Sequence, residues 1–329
     1  MAFTTSLPTV LDALENVKAP IYAIPLTGQV VGDKGVKFIT KSLLKERTFV
    51  VANTNNNNNF HPIEVCDLSS CALTDASLYD ISSIIDNIET LKELKLNGNA
   101  ITGQSEAAMA FFESVSNNTT LTSLHLENND IHSDEVMTSI VSCLRRNRTA
   151  FKSFNMQINP IGDDGMVILS KAFALQRHNI CILNLWRCDI GDEGFIALSN
   201  AFKTNKTIDE AILHHNDIGD EGMYIFADAM EKNTTLTKID LRHNSFSDRG
   251  VIKLVPVIIE KNNSLYSIQL EHNDNLHSMY IVNKLYDHVD RNNIGVFKRE
   301  EERLQKERLK REELQLLQSA KMKASSRKK

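Results

Sequence analysis

Hydrophobic residues recur along this chain with two alternating periods. Short runs such as LTSLHLENNDI place a polar residue between Leu124 and Leu126, an alternation that predicts a strand buried on one face. Such runs precede segments like EGFIALSNAFKTN, in which Phe195, Leu198 and Phe202 share one face of a helix. The pattern therefore predicts a chain built from repeated strand–helix units.

The strand pattern L-x-x-L-x-L-x-x-N-x-I occurs nine times in register. Its copies begin at Ile21, Ile63, Leu91, Leu121, Phe151, Ile180, Ile208, Leu236 and Leu265. From Ile63 onward the starts are 28 to 30 residues apart, whereas the first interval is 42 residues long and contains an asparagine-rich insertion at 53–59. A unit with one apolar face cannot bury that face alone, so we expect the units to stack, with their strands in one parallel sheet and their helices in a second layer.

The runs LKELKLNGNAI from Leu91 and LTKIDLRHNSF from Leu236, together with the IGDEG turns, resemble the leucine-rich repeat family, in particular its long-repeat, ribonuclease-inhibitor-like class. The resemblance covers residues 21–293 and implies an α/β leucine-rich-repeat solenoid, a curved array with parallel strands on its concave face and helices on its convex face. We assign the repeats to 21–297, a helical cap to 1–20, and a charged, net basic helical tail with a disordered end to 298–329.

Several apparent motifs are explained by the repeat. One column of amides is suited to satisfying the backbone of each turn, and its members are Asn99, Asn129, Asn159, Asn216, Asn244 and Asn273. Cys71 and Cys188 occupy the same column, which favours a structural role over a redox or metal role. The GDDG and GDEG turns combine a glycine bend with an acid suited to capping the helix that follows. N-x-T sequences such as that at 118–120 are interpreted as structural turns.

Charge is distributed unevenly along the chain. The net charge is −5, and the segment from Lys298 onward contains 12 basic and 6 acidic residues, so the tail carries +6 and the remaining body −11. The N-terminus lacks the regions of a signal peptide, no apolar run is long enough to span a membrane, and the five cysteines lack CxxC spacing. We therefore expect reduced thiols and a cytoplasmic protein.

The repeat leaves residue choice free at two positions of the concave face, directly before the asparagine column. These positions are mainly small and polar in the first repeats, whereas the last four repeats place there Trp186, Arg187, His214, His215, Arg242, His243, Glu271 and His272. Adjacent strands are about 4.8 Å apart, so His215, His243 and His272 should form a ladder. Trp and Arg are frequent interface hot spots, and histidines would make binding sensitive to pH. We therefore predict that these residues bind a protein partner.

Two other interpretations of these residues stay open, namely exposed polar side chains without a partner and a metal site. Zinc requires three or four ligands that converge at about 2.0–2.3 Å. Parallel side chains at strand spacing converge only when their rotamers lean together. We therefore expect no metal and no cofactor.

The sequence contains no P-loop, GxSxG or HExxH motif, so we expect a non-enzymatic protein-binding scaffold. The resemblance extends to cytoskeletal and ciliary repeat proteins, including the actin-capping tropomodulins. It also extends to Ran GTPase-activating proteins, which makes regulation of a small GTPase the alternative. Those proteins have an acidic tail, whereas this tail is basic.

The basic tail has three interpretations. Its interleaved Glu and Lys or Arg residues are typical of a solvated helix. It could instead dock to an acidic protein surface or to a partner helix. Nucleic acid and anionic membrane are less expected, because glutamates interrupt the positive charge and no aromatic residues accompany it.

Overall fold

The computed structural model describes residues 6–15, 21–52, 62–146, 151–175, 178–273 and 275–292. In these residues short parallel strands alternate with helices, which confirms the predicted α/β repeat solenoid. The predicted insertion at 53–59 and the predicted tail at 298–329 lie outside the described residues.

Each strand is three residues long, and a helix follows it in the chain. The strands are β1 (Ala23–Pro25), β2 (Val65–Asp67), β3 (Glu93–Lys95), β4 (Ser123–His125), β5 (Ser153–Asn155), β6 (Ile182–Asn184), β7 (Glu210–Ile212), β8 (Lys238–Asp240) and β9 (Ser267–Gln269). The helices are α1 (Leu7–Glu15), α2 (Gly32–Ala52), α3 (Leu78–Asn87), α4 (Glu106–Asn117), α5 (Asp134–Arg146), α6 (Gly162–Ala174), α7 (Asp192–Phe202), α8 (Asp220–Met230), α9 (Asp248–Glu260) and α10 (279–292). In the described part of the chain, no helix is both long and apolar enough to cross a membrane.

Strand centres and the inner faces of the helices form one core. Ile24, Leu94 and Leu183 are fully buried at the centres of β1, β3 and β6. Phe195 on α7 and Phe226 on α8 are also fully buried, with ring centroids 5.4 Å apart. A three-residue strand is not stable alone, so burial between neighbouring repeats supplies the stability.

Helix α1 lies in the segment that the sequence predicts as a cap. Val10 and Leu14 on this helix are buried in the same core as the repeats, and α1 packs against α2. The first unit of a stacked array exposes one side of its core, which a helix of this kind covers.

Buried asparagines join each turn to the repeat before it. Asn216 Nδ2 donates to the carbonyl oxygens of Leu185 (2.9 Å) and Leu213 (2.8 Å). Its Oδ1 accepts from the backbone N–H groups of Cys188 (3.0 Å) and Ile190 (3.1 Å). The amide thus uses its two donors and both lone pairs, as the column predicted for turn backbone groups requires.

A second row of buried asparagines lies where the helices end. Asn233 Nδ2 donates to the Phe202 carbonyl of the preceding repeat (2.7 Å), and its Oδ1 accepts from the N–H groups of Thr235 (2.8 Å) and Leu236 (2.7 Å). Asn205 makes the same set of bonds one repeat earlier. These N-x-T sequences are therefore structural turns with inaccessible amides.

Aspartates of the glycine turns join each repeat to the next one. Asp192 Oδ1 accepts from the N–H groups of Gly219 and Gly222, each at 2.8 Å, at the start of α8. Asp163 bonds the start of α7 in the same way. The prediction that each acid caps the helix after its own turn is therefore wrong in its partner. The acid lies in the first turn of its own helix, and its carboxylate reaches the positive end of the neighbouring helix.

The predicted single sheet is also wrong, because the strands form two sheets, β1–β4 and β5–β9. We call the junction between β4 and β5 the seam. The repeat from Leu121 that precedes the seam is 30 residues long, two more than the repeats from Ile180 and Ile208. In its longer turn, Ser133 replaces the aspartate, and its Oγ accepts from the Val136 N–H of its own helix. The carboxylate that connects later repeats is therefore missing here.

Packing at the seam is looser than elsewhere in the core. Leu124 and Phe154, at the centres of β4 and β5, are partly buried, whereas Leu94 and Leu183 at equivalent positions are fully buried. An apolar cavity of about 30 Å³ lies between these two strands and helices α4 and α5. The two sheets therefore meet without the close packing that joins the other repeats.

Replacing Asn216 with alanine should lower the free energy of unfolding by about 2–4 kcal/mol. Four backbone groups lose their partner, and each orphaned buried group costs about 1–3 kcal/mol before relaxation recovers part of it. Urea denaturation followed by circular dichroism measures the change. Asp217→Ala, at the exposed neighbouring side chain, is the matched control and should change stability by less than about 0.5 kcal/mol. Equal losses in the two variants would contradict the role of the amide.

Candidate binding surface

The strand register brings the predicted binding residues together on the solvent side of the strands, which we call the strand surface. Strands β6 to β9 pair in parallel, with Leu183 opposite Ala211 and Ile239 opposite Ile268. The residues that follow these strands consequently align in two rows. The first row is Trp186, His214, Arg242 and Glu271, and the second is Arg187, His215, His243 and His272. We call these eight residues the C-terminal patch.

The second row has a backbone constraint that sequence reasoning missed. Its members have φ values between +51° at His243 and +62° at His272, and Gly28 and Gly98 occupy the same row at +73° and +70°. A side chain in this left-handed region costs about 1–2 kcal/mol, although histidine adopts it more often than most residues. The expectation that residue choice is free here is therefore wrong, because the turn favours glycine.

The three histidines of the second row form a stack. The ring centroids of His215 and His243 are 4.1 Å apart with an interplanar angle of 28°, and those of His243 and His272 are 4.5 Å apart at 9°. All three side chains are exposed. Strand spacing thus places the imidazole rings face to face along the array.

Trp186 and His214 connect the two rows. Their rings stack with centroids 5.1 Å apart and an interplanar angle of 22°. His214 Nδ1 lies 2.8 Å from His215 Nδ1, so one of these nitrogens donates a hydrogen bond to the other. The result is a continuous aromatic surface that runs from Trp186 through His214 to the histidine stack.

The charged members of the patch differ in how they are paired. Arg242 binds Asp240 through two hydrogen bonds, Nε to Oδ1 at 3.0 Å and a terminal nitrogen to Oδ2 at 2.7 Å. Glu271 accepts from the Tyr286 hydroxyl at 2.9 Å. Arg187 is exposed, and its guanidinium forms no ion pair with any residue that the structure describes. Arg187 is therefore a cation of this patch that is available to a partner.

Two histidines of the patch have lowered pKa values. Burial lowers the pKa of His214, against the opposing effect of the Asp240 carboxylate, and the positive charge of Arg242 adds to the lowering. Desolvation lowers the pKa of His243, and the charges that its stacked neighbours would carry lower it further. Stacked imidazoles titrate as a coupled set, so protonating one ring disfavours protonating the next.

The stack does not form a metal site. Among the described residues, no group of three or more His, Cys, Asp or Glu side chains is arranged to hold a metal ion. Rings that lie face to face direct their nitrogens side by side rather than toward a common point, whereas zinc requires converging ligands.

A second group of charges on the strand surface, at β3 and β4, was missed by sequence reasoning. His125 lies between two carboxylates, with Nδ1 3.1 Å from Glu127 Oε1 and Nε2 3.2 Å from Glu93 Oε1. Lys95 Nζ lies 3.5 Å from Glu93 Oε1 and 3.9 Å from Asp67 Oδ2. The alternation of the strands could have revealed this group, because first and third strand residues also face solvent.

Ser123, His125 and Glu127 have the order hydroxyl, imidazole and carboxylate that an activated serine requires. Ser123 Oγ lies 2.9 Å from His125 Nε2. However, the same nitrogen faces Glu93, and the hydrogen bond from Glu127, with the charges of both carboxylates, raises the pKa of His125. A protonated imidazole cannot accept the serine proton, so this group is a charge network rather than a nucleophile.

Comparison with known proteins agrees with the architecture. A family model described as a leucine-rich repeat matches residues 117–134, 178–199, 212–227 and 232–255. Among solved structures, the chain is similar to actin-binding site 2 of leiomodin-1, with 19% identity, a TM-score of 0.44, and coverage of 54% of this chain and 97% of that one. It is also similar to the C-terminal domain of tropomodulin from Caenorhabditis elegans, with 16% identity, a TM-score of 0.42, and coverage of 51% and 98%. No curated protein matches the sequence significantly.

The stabilities contributed by His125 and His214 should depend on pH with opposite sign. The folded pKa of His125 is raised, so its stabilising effect is complete below its unfolded pKa of about 6.5 and is lost as the pH rises through the folded value. The folded pKa of His214 is lowered, so its protonation opposes folding once the pH falls below about 6.5. His125→Gln should therefore cost more stability at about pH 5.5 than at about pH 8.5, and His214→Gln should cost less.

Urea denaturation of both variants and the unsubstituted protein at the two pH values measures this difference. Because each variant is compared with itself across pH, any effect of the substitution that does not depend on pH cancels. A pH dependence of the same sign in both variants would show that the two environments do not differ as described.

Proposed function

Because this chain is a leucine-rich repeat protein, we propose that it is a non-enzymatic scaffold that binds a protein partner through the C-terminal patch. The observation that supports this proposal is the occupancy of the left-handed row. Arg187, His215, His243 and His272 occupy consecutive positions where the backbone favours glycine. A strained residue that folding does not require is a reason to look for a role in binding.

The repeat itself shows that these side chains are not needed for the turn. Gly28 and Gly98 adopt the same backbone conformation at the same row in the first half of the array. In the second half, four successive turns keep a large polar side chain instead. Such a surface covers three strand spacings, about 14 Å along the array, which suits a short segment of a protein partner.

The composition of the patch also supports binding. Trp186 provides a flat aromatic surface, partly buried against His214, and Arg187 provides an exposed, unpaired guanidinium. Tryptophan and arginine contribute a large share of the energy at many interfaces. By contrast, Arg242 and Glu271 are held by Asp240 and Tyr286, so they shape the surface and offer less free charge.

The repeat lengths support the long-repeat, ribonuclease-inhibitor-like class within the family. The repeats after the seam start 28 or 29 residues apart, and each complete unit combines one strand with one helix. Cys66, Cys71 and Cys188 are buried free thiols with raised pKa values, in keeping with a reducing, cytoplasmic environment. Cytoskeletal or ciliary proteins and small GTPases are the partner classes that the sequence resemblance implies.

The variant His215→Gly/His243→Gly/His272→Gly should separate folding from binding. It relieves the left-handed strain at three turns, so its free energy of unfolding should be unchanged or higher by about 1 kcal/mol. It should lose the partner of the strand surface, with affinity falling at least about 10-fold. Quantitative affinity capture followed by titration with the captured partner measures the loss.

The matched control is Ser70→Gly/Asn128→Gly, which makes the same backbone change in the first half of the row. It should retain the partner. Loss of the partner in both variants, or in neither, would remove the C-terminal patch from the proposal. Loss only on truncation at Lys298 would transfer binding to the tail, where an acidic protein surface or a partner helix was the expectation.

The GTPase alternative is tested separately by single-turnover GTP hydrolysis with a panel of small GTPases. We expect no acceleration by the protein, because no described residue of the strand surface forms an activated catalytic group. Acceleration above the intrinsic rate would replace the scaffold by a regulator of hydrolysis.

A further inference from the structure

The seam is connected at one end of its strands and open at the other. At the asparagine turn, Asn128 N–H donates to the Gln157 carbonyl at 2.9 Å. Asn159 Nδ2 donates to the Leu126 carbonyl at 3.0 Å, and Asn159 Oδ1 accepts from Ile131 N–H at 3.1 Å. This end therefore has the same bonds as other junctions of the array.

Toward the start of the strands these bonds stop. At the junction between β3 and β4, Leu96 N–H donates to the His125 carbonyl at 2.9 Å, and Thr122 N–H donates to the Lys92 carbonyl at 2.8 Å. At the seam, the corresponding N–H groups of Leu126 and Lys152 have no such bond to any described residue. The two strands therefore separate progressively from the turn.

Links between the helix starts are also weaker at the seam. The turn before α4 carries Gly103 where later turns carry aspartate, but Gln104 Nε2 lies 2.6 Å from His132 Nε2 and connects that repeat to the next. At the seam, Ser133 Oγ donates to Glu135 within its own helix. The seam thus lacks both the ladder of the strands and a side-chain link between the helix starts in the described residues.

The interactions that remain at the seam are incomplete. Asn155 Nδ2 donates to Glu127 Oε1 at 2.7 Å across the strand surface. Glu127 Oε2 is buried without a hydrogen-bond partner among the described residues, and the apolar cavity lies beneath the same strands. An unpaired carboxylate oxygen and an apolar cavity both cost free energy, so the open junction is not held by its own packing.

We propose that the seam is a hinge about which an N-terminal block (β1–β4 with α1–α5) rotates against a C-terminal block (β5–β9 with α6–α10). The bonds of the asparagine turn form the pivot. In the closed state β4 lies about 4.8 Å from β5, the ladder of N–H and carbonyl groups is complete, and the cavity is removed. The two states differ by few interactions, so the motion is small in energy.

Hinge rotation changes the geometry of the strand surface. The His125 group lies at the seam on one block, and the C-terminal patch begins one strand beyond the seam on the other. A partner that binds both would favour one hinge angle over the other and shift the equilibrium. The hinge itself does not depend on whether the C-terminal patch binds a partner, so each proposal can fail alone.

Two matched spin-label pairs test the hinge in the full chain. Lys92→Cys/Asp209→Cys spans the seam, and Lys152→Cys/Tyr266→Cys lies within the C-terminal block, each across four strand spacings or about 19 Å. Both are made with Cys181→Ser, because the other four cysteines are buried. Double electron–electron resonance should give a distance distribution at least about twice as broad across the seam as within the block. Equal widths for the two pairs would overturn the hinge.

A cross-link provides the second measurement. Ser123→Cys/Ser153→Cys places thiols at the positions that pair when β4 and β5 close, and a disulfide needs Cα atoms within about 7 Å. Oxidation should form the bond, as detected by mass spectrometry, and should slow amide exchange at Leu126 at least about 10-fold. Failure of the oxidised protein to form the disulfide would exclude the closed state.

Discussion

The buried asparagine amides are the interaction on which the rest of this structure depends. Strands of three residues cannot fix the distance between repeats, but an amide with four satisfied bonds, such as that of Asn216, ties its own turn to the preceding one. The left-handed backbone before each asparagine belongs to the same turn. The amides therefore fix the rows of side chains on the strand surface as well as the stacking of the core, and they continue across the seam where the ladder does not.

Much of the fold could be predicted because its information is local and repeated. The spacing of Leu121, Leu124 and Leu126 identifies the strand, and the asparagine column identifies the turn. The partner of Asp192 could not be predicted in the same way, because its carboxylate reaches a helix 27 residues further along the chain. The two additional residues before α5 are visible in the sequence, but their effect on the pairing of β4 with β5 arises only when helices and strands are packed together.

The candidate site was predicted in its membership but not in its constraints. Register alone indicated that His215, His243 and His272 would form a ladder, and the structure places their rings in a stack. Positive φ follows from the turn and gives no signal in the histidines themselves, although Gly28 and Gly98 in the same row hint at it. The His125 group was missed because only residues after each strand were considered, whereas Glu93 and His125 lie within strands.

The seam also determines how the protein would carry a mechanical load. A force applied between the two ends acts on every junction in series, and the junction with fewest bonds yields first. Where the strands form a ladder, extension requires several hydrogen bonds to break together. Between β4 and β5 it requires the strands only to separate further, while Asn159 keeps the turns connected. The array is therefore expected to behave as two stiff rods joined by a compliant element near its middle, which stretches reversibly before either half unfolds.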